Sequence, residues 1–226
     1  MTGTYLLVLI GPASVVTVSL VPSLPPFEAL TFIALAFGLI VSSVIMLFGR
    51  RSGAHINPAI TIAAALGSDF QPRLVLPYVG FQAVGGLLAG FSLKLAFGSL
   101  SPNTYLGATR LSAGLTPVEG IAIETAGTFV LAFSALFAST MACGRIRQGV
   151  LVGATLFSLI LLIGPMTGAS FNPVRSLGPS LFSGYFASQY IYLIGPVAGA
   201  ASAGLIFKAV RSRLHASNGH SLVCLR

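Results

Sequence analysis

Apolar residues along this chain run in long blocks separated by short polar or Gly/Pro-rich stretches, and block length predicts the elements. A helix crossing a bilayer needs roughly 20 predominantly apolar residues. Six segments meet that requirement: about Tyr5–Val21, Phe27–Phe48, Leu74–Phe97, Val118–Met141, Gln148–Pro165 and Ala187–Val210. Two further apolar segments, Asn57–Leu66 and Asn172–Phe182, are too short to span. At about 1.5 Å rise per residue each reaches only halfway through a core of roughly 30 Å. Entering from opposite sides, two such half-helices would meet end to end near the midplane.

Both short segments open the same way. Asn57-Pro58-Ala59 returns 115 positions later as Asn172-Pro173-Val174-Arg175. Asn-Pro is a helix-start signal: Asn caps, and Pro takes the first helical position, where a missing N–H costs nothing. Helix starts within membrane-spanning sequence expose N–H groups that only a water-filled path or protein can satisfy. The pattern therefore points to a pore. Asn57 and Asn172 can be caps alone, or caps whose amide N–H groups also face that path.

The chain also repeats itself. Gly3-Thr4-Tyr5-Leu6 resembles Gly127-Thr128-Phe129-Val130, and each opens a long span. An Asn-Pro motif follows in each half between its second and third spans. Each repeat holds three spans, an odd number, so the second must insert upside down relative to the first. The expectation is an all-α membrane protein: six transmembrane helices plus two re-entrant half-helices in an inverted repeat. It forms a single channel domain over residues 1–226, with repeat one at about 1–100 and repeat two at about 117–210.

Composition sharpens this. The chain is 55% hydrophobic and 7% charged, against about 25% charged in soluble domains. Its 26 glycines suit closely packed transmembrane helices. Gly86 and Gly90, Gly149 and Gly153, and Gly195 and Gly199 are small pairs four apart, expected at helix contacts. With no Trp, an aromatic belt must come from Phe and Tyr. The first span lacks a basic leader and a clear cleavage site, so it reads as retained.

A net charge of +8 raises nucleic acid as a partner, but the basic residues do not cluster like a binding face. Arg50, Arg51, Arg73, Arg145, Arg147, Lys208, Arg211, Arg213 and Arg226 all fall on one side if both termini share it. Lys94 and Arg110 fall on the other. That asymmetry places the chain in the cell membrane with both termini in the cytoplasm. Cys143 and Cys224 then lie on the cytoplasmic side, where a structural disulfide is not expected.

Few residues carry chemistry. Arg175 at membrane depth should face a wet cavity and be held by carbonyls; the bland alternative is snorkelling to the interface. Glu124 is a carboxylate in an apolar span and is expected to brace the second half-helix loop through hydrogen bonds. His55, two residues before Asn57, reads as a histidine closing loop hydrogen bonds. His215, His220 and the tail after Arg213 read as a mobile terminus. No His/Cys/Asp cluster has metal spacing and no nucleophile-base set appears, so neither an enzyme nor a cofactor is expected. A cation channel or proton-coupled transporter would want carboxylates at the midplane, and none aligns with the two motifs. The loops are too short for an adhesive junction role.

The doubled motif, with Arg175 after the second copy, resembles the aquaporin family, also called major intrinsic proteins. Gly53-Ala54-His55-Ile56 before the first motif, Glu124-Thr125-Ala126-Gly127-Thr128 opening span four, and Ser176 after Arg175 extend the match over essentially the whole chain. Length and residue pattern are similar to the archaeal M-type branch. Two departures stand out. Val174 replaces the usual Ala of the second motif, so packing where the half-helices touch should shift. The Glu usually found three residues before the Gly-Thr of span one would precede Met1, so either the true start lies upstream or this half does without it, and Glu124 represents that pair here.

The resemblance implies a narrow single-file pore in each subunit of a homotetramer embedded in membrane lipid, passing water and small neutral solutes and excluding protons and ions. It implies a constriction of Phe37, Ile160, Ala169 and Arg175, and a vestibule position for His55. Strict water channels of the family usually carry His where Ile160 stands. Ile160 and the small Ala169 predict a wider, more apolar filter. Phe37 replaces the Trp typical of glycerol channels, and Ser176 replaces their Asp. The expected substrate is water, with some glycerol or other small neutral solutes; the runner-up is a facilitator mainly for glycerol or dissolved gases. Tyr192-Leu193 in span six is ambiguous on that choice. Mercury block in many members depends on a Cys where this chain has Ala169, so weak sensitivity is expected.

Overall fold

The computed structural model describes residues 1–100, 103–141 and 144–218, the last five as backbone only. Cys143, Cys224 and His220 lie outside the described residues, as does the side chain of His215. The described chain is helical: α1 Thr2–Ser19, α2 Pro26–Ser52, α3 Pro58–Gly67, α4 Val75–Phe97, α5 Pro117–Thr140, α6 Gly144–Thr167, α7 Pro173–Ser183 and α8 Ile191–Asn218. Among the described residues, six helices are long and apolar enough to cross a membrane, and α3 and α7 are the two short ones.

Several helices outrun their apolar blocks. α6 starts at Gly144, ahead of the expected Gln148, and its first turns carry Arg145 and Arg147. α2 continues through Arg50 and Arg51 to a left-handed Gly53 at φ 68°. α8 starts later than expected, at Ile191, and runs to Asn218. Hydropathy marks the part of a helix in hydrocarbon, whereas the backbone ladder continues into the polar layer until a cap stops it. The start of α5 shows such a cap: Thr116 Oγ1 accepts from Glu119 N at 3.3 Å, and Glu119 Oε2 accepts from Thr116 N at 2.7 Å.

The packing has the two-fold logic of an inverted repeat. α1 lies against α4 as α5 lies against α8, and α2 packs on α6 across the middle. Each half-helix rests on the last span of the other repeat, α3 on α8 and α7 on α4. Small residues let these backbones approach. A Cβ on Gly90 of α4 would lie 2.3 Å from Gly178 O of α7, and one on Gly204 of α8 would lie 2.8 Å from Ala63 O of α3. Gly153 meets α2 and Gly199 meets α5 equally closely, with a Cβ 2.4 Å from Gly38 O and 2.2 Å from Thr125 O. Leu76, Leu95, Val118 and Leu162 stay exposed on the outside, as a lipid-facing surface requires.

Candidate functional site

The site begins with two short loops that enter the interior from opposite ends. Each turns through left-handed backbone at matching positions: Gly53, Ala54 and Ile56 at φ 68°, 50° and 47°, and Gly168, Ala169 and Phe171 at φ 81°, 46° and 53°. Non-glycine residues in this region cost on the order of 1–3 kcal/mol each, so the surroundings must hold them there. Each loop then delivers an extended Asn that caps a half-helix. Asn57 Oδ1 accepts from Ala59 N at 2.8 Å. Asn172 Oδ1 accepts from Val174 N at 3.1 Å and Arg175 N at 3.3 Å. Pro58 and Pro173 occupy the first helical positions.

The caps also bind each other's loops. Asn57 Nδ2 donates to Phe171 O at 2.7 Å, and Asn172 Nδ2 donates to Ile56 O at 3.1 Å. A carboxamide nitrogen carries two hydrogens, so one donor on each Asn is spent on this brace and one is left. Both side chains line a cavity of about 430 Å³. Two half-helix N-termini, each with about half a positive charge from aligned peptide dipoles, therefore face one space.

The cavity opens beside Asp69, Phe70 and Arg145 and runs past the two Asn to Phe37, Ala169 and Arg175. One wall is apolar, built by Ile60, Leu131, Val152 and Leu156. His55 lines its mouth side, with Nδ1 3.3 Å from Thr61 Oγ1 and its ring against Phe70 and Tyr78. Thr61 Oγ1 in turn donates to Asn57 O at 3.0 Å. His55 thus both closes loop hydrogen bonds and borders the lumen.

Arg175 is buried, 3% exposed, at the far end. Its Nη1 donates to Gly107 O at 2.8 Å, and its guanidinium carbon sits 4.9 Å from the Phe37 ring centroid. Its Nε is buried without an acceptor among the described residues. It does not snorkel to the interface. Ile160 is buried in the same core cluster as Phe37, Ala169, Leu156 and Leu159.

Glu124, fully buried in α5, holds the second loop from behind. Its Oε1 accepts from Thr167 Oγ1 at 2.7 Å and Ser170 N at 3.0 Å, and its Oε2 from Phe171 N at 2.8 Å. Tyr192 OH donates to Thr167 O at 2.8 Å, so this residue belongs to the loop scaffold. Ser176 Oγ bridges Thr109 Oγ1 at 2.7 Å and Ser170 Oγ at 2.5 Å, joining the connection before α5 to the motif. Thr167, Ser170, Thr109 and Gly107 carry no motif in the sequence, since any hydroxyl or carbonyl brought to the right place would serve.

Val174 fits by a route the motif does not suggest. Ala59 packs among Ala63, Ala200 and Ala203, whereas Val174 packs with Val8 and Ala89. A Cβ on Gly86 would lie 2.1 Å from Val174 Cγ1. The extra methyl groups are taken up by the bare backbone of α4, away from Ala59.

Comparison with known proteins agrees with this architecture. The family model described as major intrinsic protein matches residues 1–207. A relative described as putative aquaporin NIP4-1 of Arabidopsis thaliana is 35% identical over 213 residues, covering 93% of this chain and 72% of the relative. Aquaporin NIP1-1 of Oryza sativa subsp. japonica is 36% identical over 213 residues, covering 92% and 72%. Among solved structures, the aquaglyceroporin from Plasmodium falciparum superposes with a TM-score of 0.82 at 19% identity, covering 94% of each chain. These relatives include plant proteins, and the matches carry the family and not the archaeal branch.

Proposed function

Since the chain belongs to the major intrinsic protein family, we propose that it is a passive water channel with some permeability to glycerol or other small neutral solutes, closed to protons and ions. It is a channel and not an enzyme. The observation that carries the mechanism is the reciprocal brace between Asn57 and Asn172, because it aims two half-helix N-termini at one lumen and leaves one amide donor on each Asn. A water whose oxygen accepts from both Asn cannot also accept a hydrogen bond from the next water in file, so a proton wire is interrupted there. A cation at that point meets two positive helix ends and loses part of its hydration.

Phe37, Ile160, Ala169 and Arg175 form the constriction, Ile160 as its apolar wall. Arg175 adds a fixed positive charge and free N–H donors for a solute oxygen. Asn57, Pro58, Ala59, Asn172, Pro173 and Val174 form the midpoint, and His55 the vestibule. Glu124 positions the second loop and touches no solute. The small Ala169 and the apolar wall favour a lumen that admits more than water, so a facilitator mainly for glycerol or dissolved gases is the second reading.

The placement in the cell membrane with cytoplasmic termini follows the basic residues. Arg145 packs on Gly49 next to Arg50 and Arg51, and Arg211 pairs with Asp69 at 2.7 Å, so these charges share one end of the bundle. A homotetramer with one pore per subunit, and a single channel domain with repeats at about 1–100 and 117–210, complete the proposal. Stopped-flow shrinkage of proteoliposomes under a glycerol gradient tests it. Fast shrinkage followed by quick re-swelling is expected. Fast shrinkage without re-swelling would make it water-only, and shrinkage no faster than empty vesicles would overturn the channel reading.

A further inference from the structure

The constriction is held from behind by one step of α1. The ring of Phe37 packs on Gly11: a Cβ there would fall 2.2 Å from Phe37 Cε1, 2.3 Å from Cζ and 2.7 Å from Cδ1. The next residue, Pro12, seats Gly107, where φ is +74° and a Cβ would lie 2.5 Å from Pro12 O and 2.8 Å from Pro12 Cα. Gly107 O then accepts from Arg175 Nη1, and the guanidinium lies over Phe37. The contacts close a circuit from Gly11 through Phe37, Arg175 and Gly107 back to Pro12.

We propose that the Gly11-Pro12 step of α1 sets the gap between Phe37 and Arg175 and so determines the size of solute that passes. The inference rests on the constriction reading above. Gly11 and Gly107 are positioning residues: neither needs to touch the solute. A side chain at Gly11 cannot be absorbed where it points. To restore ordinary carbon–carbon contact the ring must move by about 1.5 Å, and its free side is the cavity that it lines. A shift of that size narrows a single-file lumen more for glycerol, which fills it, than for water.

The test uses the full chain in proteoliposomes, with water and glycerol permeability measured on Gly11→Ala, Phe37→Ala and the double variant. Gly11→Ala is expected to lower glycerol permeability about tenfold and water permeability less than about threefold, because the lumen diameter falls. The double variant should match Phe37→Ala, since the ring that the added methyl meets is gone. An unchanged glycerol-to-water ratio in Gly11→Ala, or a double variant that keeps the Gly11→Ala ratio, overturns the inference. If Gly11→Ala does not elute as a monodisperse channel, the double variant decides. Recovery of folding with the Phe37→Ala ratio supports the proposal, and continued misfolding overturns it. Failure of the constriction reading itself looks different, because then Phe37→Ala alone leaves the ratio at the wild-type value.

Discussion

The side-chain amide of Asn57 donates to the main-chain carbonyl of Phe171 at 2.7 Å, across 114 positions of sequence and from one repeat to the other. The same Asn caps its own half-helix through Oδ1. One side chain thus sets the start of α3 and fixes the opposing loop, and the donor that remains is aimed by both constraints at once.

Asn57→Asp separates these roles. The carboxylate keeps the cap but has no N–H for Phe171 O, leaving a buried acceptor unmatched at about 1–3 kcal/mol. The variant should show a lower thermal midpoint in detergent and, with a negative charge at the midpoint, measurable cation flux in vesicles. Unchanged stability would mean that the brace contributes little.

Glu124→Gln replaces an acceptor-only group that serves Thr167, Ser170 and Phe171. The amide can accept on one side only, so at least one buried N–H loses its partner, a cost of about 1–3 kcal/mol. The expected outcome is reduced thermal stability and reduced water permeability, with no gain in ion flux. Ion leakage at normal stability would place Glu124 in the lumen.

Arg175→Val removes the fixed charge from the constriction. A unit charge at about 4 Å is worth about 4 kcal/mol at an effective dielectric of 20, so cation or proton flux should rise by at least about tenfold. A pH-sensitive dye in potassium-loaded vesicles with valinomycin reads it. Unchanged exclusion would assign the barrier to the half-helix ends alone.

Ile160→His probes the wall from the buried side. Ile160 is 4% exposed and packs with Phe37, so an imidazole should turn to the constriction, where water and Arg175 can satisfy it, and lower glycerol permeability relative to water. A drop in stability with glycerol permeability unchanged would show that Ile160 acts only in the core.

Ala169 is buried where the cavity ends at Arg175. The wild-type channel should resist mercury, and Ala169→Cys should be blocked, with reversal by a thiol. Strong block of the wild type would place another thiol near the lumen.

How far the sequence reached depends on the residue. The doubled Asn-Pro and the block lengths disclosed the half-helices, because capping and span length are local or one-dimensional properties. Glu124 stood out because a carboxylate in hydrocarbon needs partners. The identity of those partners, Thr167 and the amides of Ser170 and Phe171, was hidden. So was the seat of Val174 on Gly86.

What the sequence by itself determined is therefore the list of spans, their inverted order and the chemistry available at the two motifs. The tertiary structure alone decided how each helix is rotated about its axis: that Gly11 backs Phe37, that Gly107 O holds Arg175, and that Gly86 receives Val174. The reason is physical. A helix apolar on every side carries no periodic contrast to say which face turns inward, so in lipid that choice falls to close packing and to the few hydrogen bonds that must be closed.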